Sequence, residues 1–316
     1  MRVLITGSSG QIGTNLGLHL QEKGHFVFGV DKRRNTWSNQ IETLYQDLSM
    51  PYRDYEAGIG SVEYPEKLDA VVHFAAHAKV HELVLNPARA LENITMTFNV
   101  LEFCRRHNLP IIFSSSREVY GDIHRYITEE SHADFAFTES PYSASKISGE
   151  ALVYSYAQCY GVPYLVFRFS NVYGRYDNDI ERMLRVIPHF IRSINQGKPI
   201  TVYGQDKVLD FTYVDDCVAG VSSGLEKLVS GEIKNHTINL AYGQGNSLVE
   251  MAKFISEELG KPPNMTVEPA RVGEVTHYVA NIGKAHAILG YQPQVTLREG
   301  IKRSVEWSLD WWDKNP

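Results

Sequence analysis

A chain of 316 residues, 43% apolar and 22% charged, has the composition of a folded globular protein and the length of about two domains, which excludes pervasive disorder as a starting point. Its formal net charge of −6 offers no basic field to a polyanionic backbone, so nucleic acid is not expected as a partner, whereas a small anion needs only a few arginines and backbone N–H groups. No apolar run reaches the ~18 residues of a spanning helix, and the chain opens on a short apolar stretch rather than a charged leader, so a soluble cytoplasmic protein without membrane association is expected.

In chain order, Val3–Thr6, Phe26–Val30, Ala70–Phe74, Ile111–Ser114 and Leu165–Arg168 read as buried strands. Amphipathic patterns over Ile12–Lys23, Leu91–Asn108 and Ser143–Tyr160 lie between them and read as helices. Such alternation implies an α/β fold, a doubly wound parallel sheet covered on both faces, with ligands bound beyond the carboxyl ends of the strands. After about residue 170 the pattern changes to a polar, turn-rich Gly174–Asp179, then a helical run with Ile187, Phe190, Ile191 and Ile194 on one face. Ile200–Tyr203 and Leu209–Val214 read as extended and Asp215–Val229 as helix. The expected division is a cofactor domain over 1–172 and a smaller, interleaved α/β substrate domain over 173–316, with a segment near 236–242 returning to the main sheet. Cys104, Cys159 and Cys217 are odd in number and far apart, which suits buried free thiols in a reducing compartment. Neither they nor His77, His81, His124, His132 and His189 show a metal-ligand spacing, and no metal is expected.

The first strand runs into Thr6-Gly7-Ser8-Ser9-Gly10-Gln11-Ile12-Gly13. Glycine at position 7 permits a tight turn, at 10 lets the backbone approach a pyrophosphate, and at 13 lets the following helix pack closely on the strand. The anion then rests on free N–H groups at the helix N-terminus, about Gln11 and Ile12. The second strand ends at Asp31, 18 residues after Gly13, with Lys32 beside it. A carboxylate there accepts from both ribose hydroxyls and repels a 2′-phosphate, which favours NAD over NADP, although Arg33 and Arg34 follow closely.

Tyr142-Ser143-Ala144-Ser145-Lys146 puts a phenol and an ammonium on one face of a helix. An adjacent cation stabilises phenolate, so the spacing predicts a tyrosine of lowered pKa able to take a hydroxyl proton near neutrality. Ser114-Ser115-Ser116 closes the fourth of the strands just named, at the ligand edge, and Ser116 is the hydroxyl chosen to bond the reacting oxygen.

These motifs resemble those of the extended short-chain dehydrogenases/reductases, specifically the NAD-dependent nucleotide-sugar epimerase/dehydratase family, over nearly the whole chain. The resemblance implies a Rossmann-like sheet. It sets Asp47-Leu48 against the adenine, His73-Phe74-Ala75-Ala76 along the cofactor, and Asn93 as a brace for the central strands. It makes Ser114 with Tyr142 and Lys146 part of the cofactor site, and Ser116, Tyr142 and Lys146 the catalytic set. Asn171, within Arg168-Phe169-Ser170-Asn171-Val172-Tyr173-Gly174, is implied to contact the sugar diphosphate, and Arg271 to carry diphosphate charge because Leu209 stands where an arginine is frequent. Arg117 and Glu118 occupy the positions of the acid–base pair of dehydratases; Glu118 is able to act as a base, but Arg117 is no acid.

The activity so implied is 4-epimerisation of a UDP-sugar, of UDP-glucose/UDP-galactose or UDP-glucuronate type, through a transient 4-keto sugar. Tyr142 takes the C4 hydroxyl proton as hydride moves to the nicotinamide, and Lys146 holds the cofactor ribose. The alternatives are 4,6-dehydration or decarboxylation and, as a different class, a non-catalytic NAD-sensing relative. Arg175, Arg182 or Arg185 is placed to pair with a sugar carboxylate. The two helices Leu91–Asn108 and Ser143–Tyr160 correspond to those that form a homodimer interface in the family.

Overall fold

The computed structural model describes residues 1–50, 67–121, 128–133, 135–177, 185–271 and 275–314. Strands β1 (Arg2–Thr6), β2 (Phe26–Asp31), β3 (Glu42–Tyr45), β4 (Ala70–His73), β5 (Ile111–Ser116) and β6 (Tyr164–Phe169) are followed by β7 (Asn171–Tyr173), β8 (Ile200–Tyr203), β9 (Val208–Tyr213), β10 (His236–Leu240), β11 (Gly245–Ser247), β12 (Met265–Glu268) and β13 (His277–Tyr278). The helices are α1 (Gln11–Glu22), α2 (Val80–Leu85), α3 (Ala88–His107), α4 (Pro141–Tyr160), α5 (Val186–Asn195), α6 (Val214–Ser230), α7 (Leu248–Leu259), α8 (Gly283–Leu289) and α9 (Leu297–Lys314).

The main sheet has seven parallel strands in the order β10-β6-β5-β4-β1-β2-β3. Its interior strands are apolar runs whose successive side chains go to opposite faces. Val3, Ile5, Val72, Ile112 and Leu165 join Leu16 and Leu20 of α1 and Val218 and Val221 of α6 in one core. Leu4, Val71, Ile111, Phe113 and Val166 join Met96 and Val100 of α3 and Val153 and Tyr156 of α4 in the other. From β1 the chain first winds outward through β2 and β3, then returns to β4 and winds the other way. The carboxyl ends of β1 and β4 therefore flank the point where the strand order reverses, which is where an open α/β sheet leaves a crevice.

β10 aligns with β6 from His236 against Leu165 to Leu240 against Phe169, so the last third of the chain contributes an edge strand to the main sheet. Outside that sheet, β11-β9-β13 with β7 on β9, and the pair β12-β8, form smaller sheets. The strand β3 was not foreseen: its residues are only half-buried or exposed, so no apolar run marks it. Cys104 and Cys217 are buried, but Cys159, at the exposed end of α4, is not, contrary to expectation.

Two polar and aromatic assemblies tie these layers together. Glu150 of α4 and Arg168 of β6 form a buried ion pair at 2.6 Å. Glu150 also accepts from Ser115 at 2.5 Å, and Arg168 donates to Tyr120, whose hydroxyl donates to Asn239 of β10. Elsewhere, Trp37 in the loop after β2 meets Trp311 of α9 edge-on at 5.0 Å, while Tyr176 packs against Trp37 and Trp307. The same loop is anchored to α1 by Asn35, which donates to the Thr14 hydroxyl at 3.0 Å.

Candidate active site

A cleft of about 620 Å³ opens at the reversal point, and its walls contain the cofactor residues expected from the sequence, apart from the buried His73, together with Ser116, Arg117, Glu118 and Asn171. Its floor is the turn from β1 into α1. Gly7 adopts φ +73° there, and a Cβ on Gly13 would stand 2.2 Å from the Gly7 carbonyl oxygen, so close packing of the helix on the turn requires glycine. A Cβ on Gly10 would meet only the Gly7 oxygen at 3.2 Å, so the fold itself crowds this residue far less. The first helical bond of α1 runs from Thr14 N to Gly10 O, no side chain caps the helix, and no acid lies in its first turn. Amides of Gln11, Ile12 and Gly13 thus precede the first helical bond at a positive dipole end, a fit for an anion.

At the end of β2, Asp31 is buried and accepts from Ser9 N at 3.0 Å and Arg33 N at 2.9 Å. Burial raises its pKa; the nearby Arg33 charge and the two amide bonds work in the opposite direction. Asp47 is exposed; partial burial would raise it, but the Ser49 hydroxyl and amide hold it below the usual carboxylate range. Asn93 accepts from His77 N and donates to His77 O and to the Ser145 hydroxyl, so it braces the segment after β4 against α4.

Helix α4 starts sharply because Ser140 accepts from Ser143 N at 3.1 Å and Pro141 takes the first turn. Gly149 lets it lie against β5, since a Cβ there would sit 2.4 Å from the Phe113 ring. This approach brings Tyr142 and Lys146 to the end of β5. Lys146 Nζ donates to the Ser114 carbonyl at 2.6 Å and lies 5.9 Å from the centre of the Tyr142 ring. Tyr142 hydrogen-bonds with Ser116, whose hydroxyl also accepts from Glu118 N at 3.2 Å. The lowered phenol pKa expected from the Tyr–Lys spacing is not found. Burial pushes Tyr142 up to about 12, against the opposing Ser116 bond, and pushes Lys146 down to about 8. Desolvation outweighs the neighbouring charge for both groups.

Beyond Ser116, Arg117 and Glu118 form an ion pair at 2.8 Å. Asn171 reaches across from β7 and donates to Asp210 O at 2.9 Å. The arginines assigned to substrate divide. Arg175 pairs with Asp215 at 2.9 Å, and Arg271 is exposed with its guanidinium carbon 3.9 Å from the Tyr203 ring centre; neither is among the residues that line the cleft. Arg182 and the motif residues 272–274 lie outside the described residues. Arg185, in contrast, lines the cleft, donates to Gln11 Oε1 at 2.6 Å and pairs with Asp177 at 3.2 Å. Asp177 and the Gln11–Arg185 link were missed from sequence, because no local spacing connects groups so distant along the chain. In place of the absent arginine, Leu209 is simply buried in the core. Among the described residues, no group of histidines, cysteines and acids is arranged to hold a metal ion, and no helix is long and apolar enough to cross a membrane.

Comparison with known proteins agrees with this geometry. Residues 3–241 match the NAD dependent epimerase/dehydratase family. A UDP-glucose 4-epimerase from Thermotoga maritima, solved with UDP-glucose, superposes with a TM-score of 0.85 at 29% identity, over 99% of this chain and 100% of that one. A UDP-glucuronic acid 4-epimerase from Bacillus cereus, solved with UDP-glucuronic acid and NAD, gives a TM-score of 0.84 at 25% identity, over 98% and 100%. The dTDP-glucose 4,6-dehydratase of Salmonella typhimurium is 30% identical over 342 residues, covering 98% of this chain and 93% of its own.

Proposed function

The chain belongs to the NAD-dependent epimerase/dehydratase family and is an NAD-dependent enzyme of nucleotide sugars; from this premise we propose that it is a 4-epimerase of a UDP-sugar, of UDP-glucose/UDP-galactose or UDP-glucuronate type. The observation that carries the reading is the grouping of Ser116, Tyr142 and Lys146 at the end of β5 with an arginine, Arg117, rather than a carboxylic acid next to them. A 4,6-dehydration needs a proton delivered to the departing C6 hydroxyl, and Arg117 does not deliver one.

NAD fits the cleft by the bare N-terminus of α1 and the buried carboxylate of Asp31, and when bound it supplies a hydride acceptor and donor. Lys32, Asp47, Leu48 and the Phe74–Ala76 segment form the rest of its wall. Tyr142 takes the proton from the sugar C4 hydroxyl and later returns it to the transient 4-keto oxygen. Ser116, already bonded to Tyr142, holds the same oxygen in place. Lys146, held by the Ser114 carbonyl, adds positive charge beside the phenol. Asn171 and Arg185 flank the diphosphate and sugar, Arg185 replacing Arg175 and Arg271 as the cleft's arginine on that side.

Glu118 favours a second reading, dehydratase or decarboxylase, because this carboxylic residue borders the cleft next to Ser116, although its carboxylate is paired with Arg117. Proton NMR of the enzyme with UDP-glucose, UDP-galactose, UDP-glucuronate and UDP-N-acetylglucosamine, without added reductant, separates the two. A C4 epimer is expected; a 4-keto product with a new C6 methyl group would replace the epimerase with the dehydratase. The reading further includes a cytoplasmic homodimer, packed through α3 and α4, where Leu91 and Tyr160 are exposed. It assigns cofactor binding to 1–172 and sugar-diphosphate binding to 173–316.

A further inference from the structure

The guanidinium of Arg185 is held in the cleft wall by the helix that opens the cofactor site. Gln11 is the first residue of α1, where the amides suited to an anion stand, and its side chain is buried. Its side-chain amide works in two directions. Oε1 accepts from Arg185 Nη1 at 2.6 Å, while Nε2 donates to the Gly174 carbonyl at 3.2 Å. One turn along α1, Asn15 donates to the Arg175 carbonyl at 3.2 Å. The turn over 174–177 is thus fastened to α1 by two side chains. Within it Tyr176 adopts φ +61°, a left-handed conformation that a bulky residue keeps only where its surroundings over-determine it. Those surroundings are the side-chain amides of α1 on one hand and the rings of Trp37 and Trp307 on the other. The turn ends in Asp177, which pairs with the same Nη1 of Arg185 at 3.2 Å.

We infer that Gln11 is a positioning residue for the nucleotide sugar: its side chain fixes Arg185 to α1, so that the arginine on the substrate side is aimed from the dinucleotide side of the cleft. The inference rests on the reading of Arg185 as the cleft's substrate-side arginine and deepens it. Both fixed contacts fall on Nη1, and the side chain remains 32% exposed where it lines the cleft. Its charge is also felt at Tyr142, where it opposes the upward shift of the phenol. A loose arginine gives up rotamer freedom when it closes on an anion, whereas one already clamped gave it up during folding. A neutral amide suits the task, since it accepts from the guanidinium without adding negative charge at the helix N-terminus.

The test is calorimetry with UDP-glucose and UDP-glucuronate on the full-length, NAD-loaded enzyme, as wild type, Gln11→Met, Arg185→Met and the double variant. Arg185→Met is expected to weaken sugar-nucleotide binding about 10–100-fold, and Gln11→Met about 3–10-fold, the cost of ordering one arginine on binding. The double variant should be no weaker than Arg185→Met alone, because Gln11 acts through the arginine. In a parallel titration with NAD, Gln11→Met should lose less than it loses for the sugar nucleotide. Losses that multiply in the double variant, or unchanged sugar binding in Gln11→Met, overturn the inference and leave Arg185 in the substrate site. A Gln11→Met that loses NAD as much as sugar makes the side chain a prop for the helix end, and also overturns it. Unchanged binding in Arg185→Met, or a wild type that binds neither sugar nucleotide, refutes the reading of Arg185, and the inference falls with it. NMR of C4 epimer formation tests the reaction separately, so a failed epimerase reading leaves the binding results to decide. Gln11→Asn, which withdraws the amide by one carbon, is expected to weaken sugar binding in the same way and decides the matter should Gln11→Met not fold.

Discussion

Tyr142 and Lys146, one turn apart on α4, are driven by the same burial toward their uncharged forms, the phenol up to about 12 and the ammonium down to about 8. Each lies where water is excluded, and the bond that fixes Lys146 goes to the Ser114 carbonyl rather than to the phenol. In the ligand-free protein the pair is therefore held short of ionisation at Tyr142. To act as a base under the proposed reading, Tyr142 would need further positive charge beside it, which an oxidised nicotinamide would supply when bound.

Replacing Tyr142 with phenylalanine removes the proton acceptor and little else, since the hydroxyl makes its bond to Ser116 inside the cleft. Turnover should fall by roughly 10²–10⁴-fold while NAD still binds. Calorimetry with NAD and NMR of the sugar check the two halves. Turnover close to wild type would remove Tyr142 from the mechanism.

Lys146 makes stability depend on pH in a definite direction. Its folded pKa is about 8, below the ordinary value of 10.5 that serves for the unfolded chain. The unfolded state therefore binds more protons between those values, and stability rises with pH across that window. The cost of burying the charge is fully present below pH 8 and is relieved by pH 10.5. Its size is at most about 3 kcal/mol. Urea denaturation of ligand-free wild type and Lys146→Met at pH 7 and pH 10 should show the wild type gaining on the variant. Parallel pH profiles would contradict it.

Asp31 holds the turn amides of Ser9 and Arg33, and under the proposed function it would also accept from the cofactor ribose. Asp31→Ala should weaken NAD binding about 10–100-fold, from the loss of bonds to a charged acceptor, and should narrow the gap to NADP because the repelling carboxylate is gone. Dissociation constants for both dinucleotides measure this. An unchanged ratio would show that Arg33 and Arg34, not Asp31, govern the choice.

The Glu150–Arg168 pair joins α4 to β6 with both side chains buried. Glu150→Gln leaves a buried guanidinium without its countercharge, and should cost about 3–5 kcal/mol. The exposed Arg298–Glu257 pair is a control, and Glu257→Gln should change stability by less than about 1 kcal/mol. Chemical denaturation of the two variants compares them directly.

What could be read from the sequence was what lies close together along it. The glycine turn, the acid ending β2 and the Tyr–Lys spacing are local patterns, and the cleft contains all of them. Arg175 is suggested by its place in a charged loop next to a motif and Arg271 by the motif it belongs to, yet their partners, Asp215 and Tyr203, come from elements that neither signal reveals. The contact of Gln11 with Arg185 spans most of the chain and had no signal at all. The direction of the Tyr142 shift was also beyond reach, since spacing specifies a neighbouring charge but not how much water the fold removes.

The aromatic corner has an optical consequence. The chain has four tryptophans, and Trp37, Trp307, Trp311 and Trp312 all belong to that corner or to the helix that forms it. Intrinsic fluorescence of this protein is thus a local signal, reporting the seam between α9 and the loop that starts just after Asp31. It will register detachment of the last helix, or a shift of that loop when a dinucleotide settles. It will be silent about fraying at the opposite edge, where β10 closes the sheet.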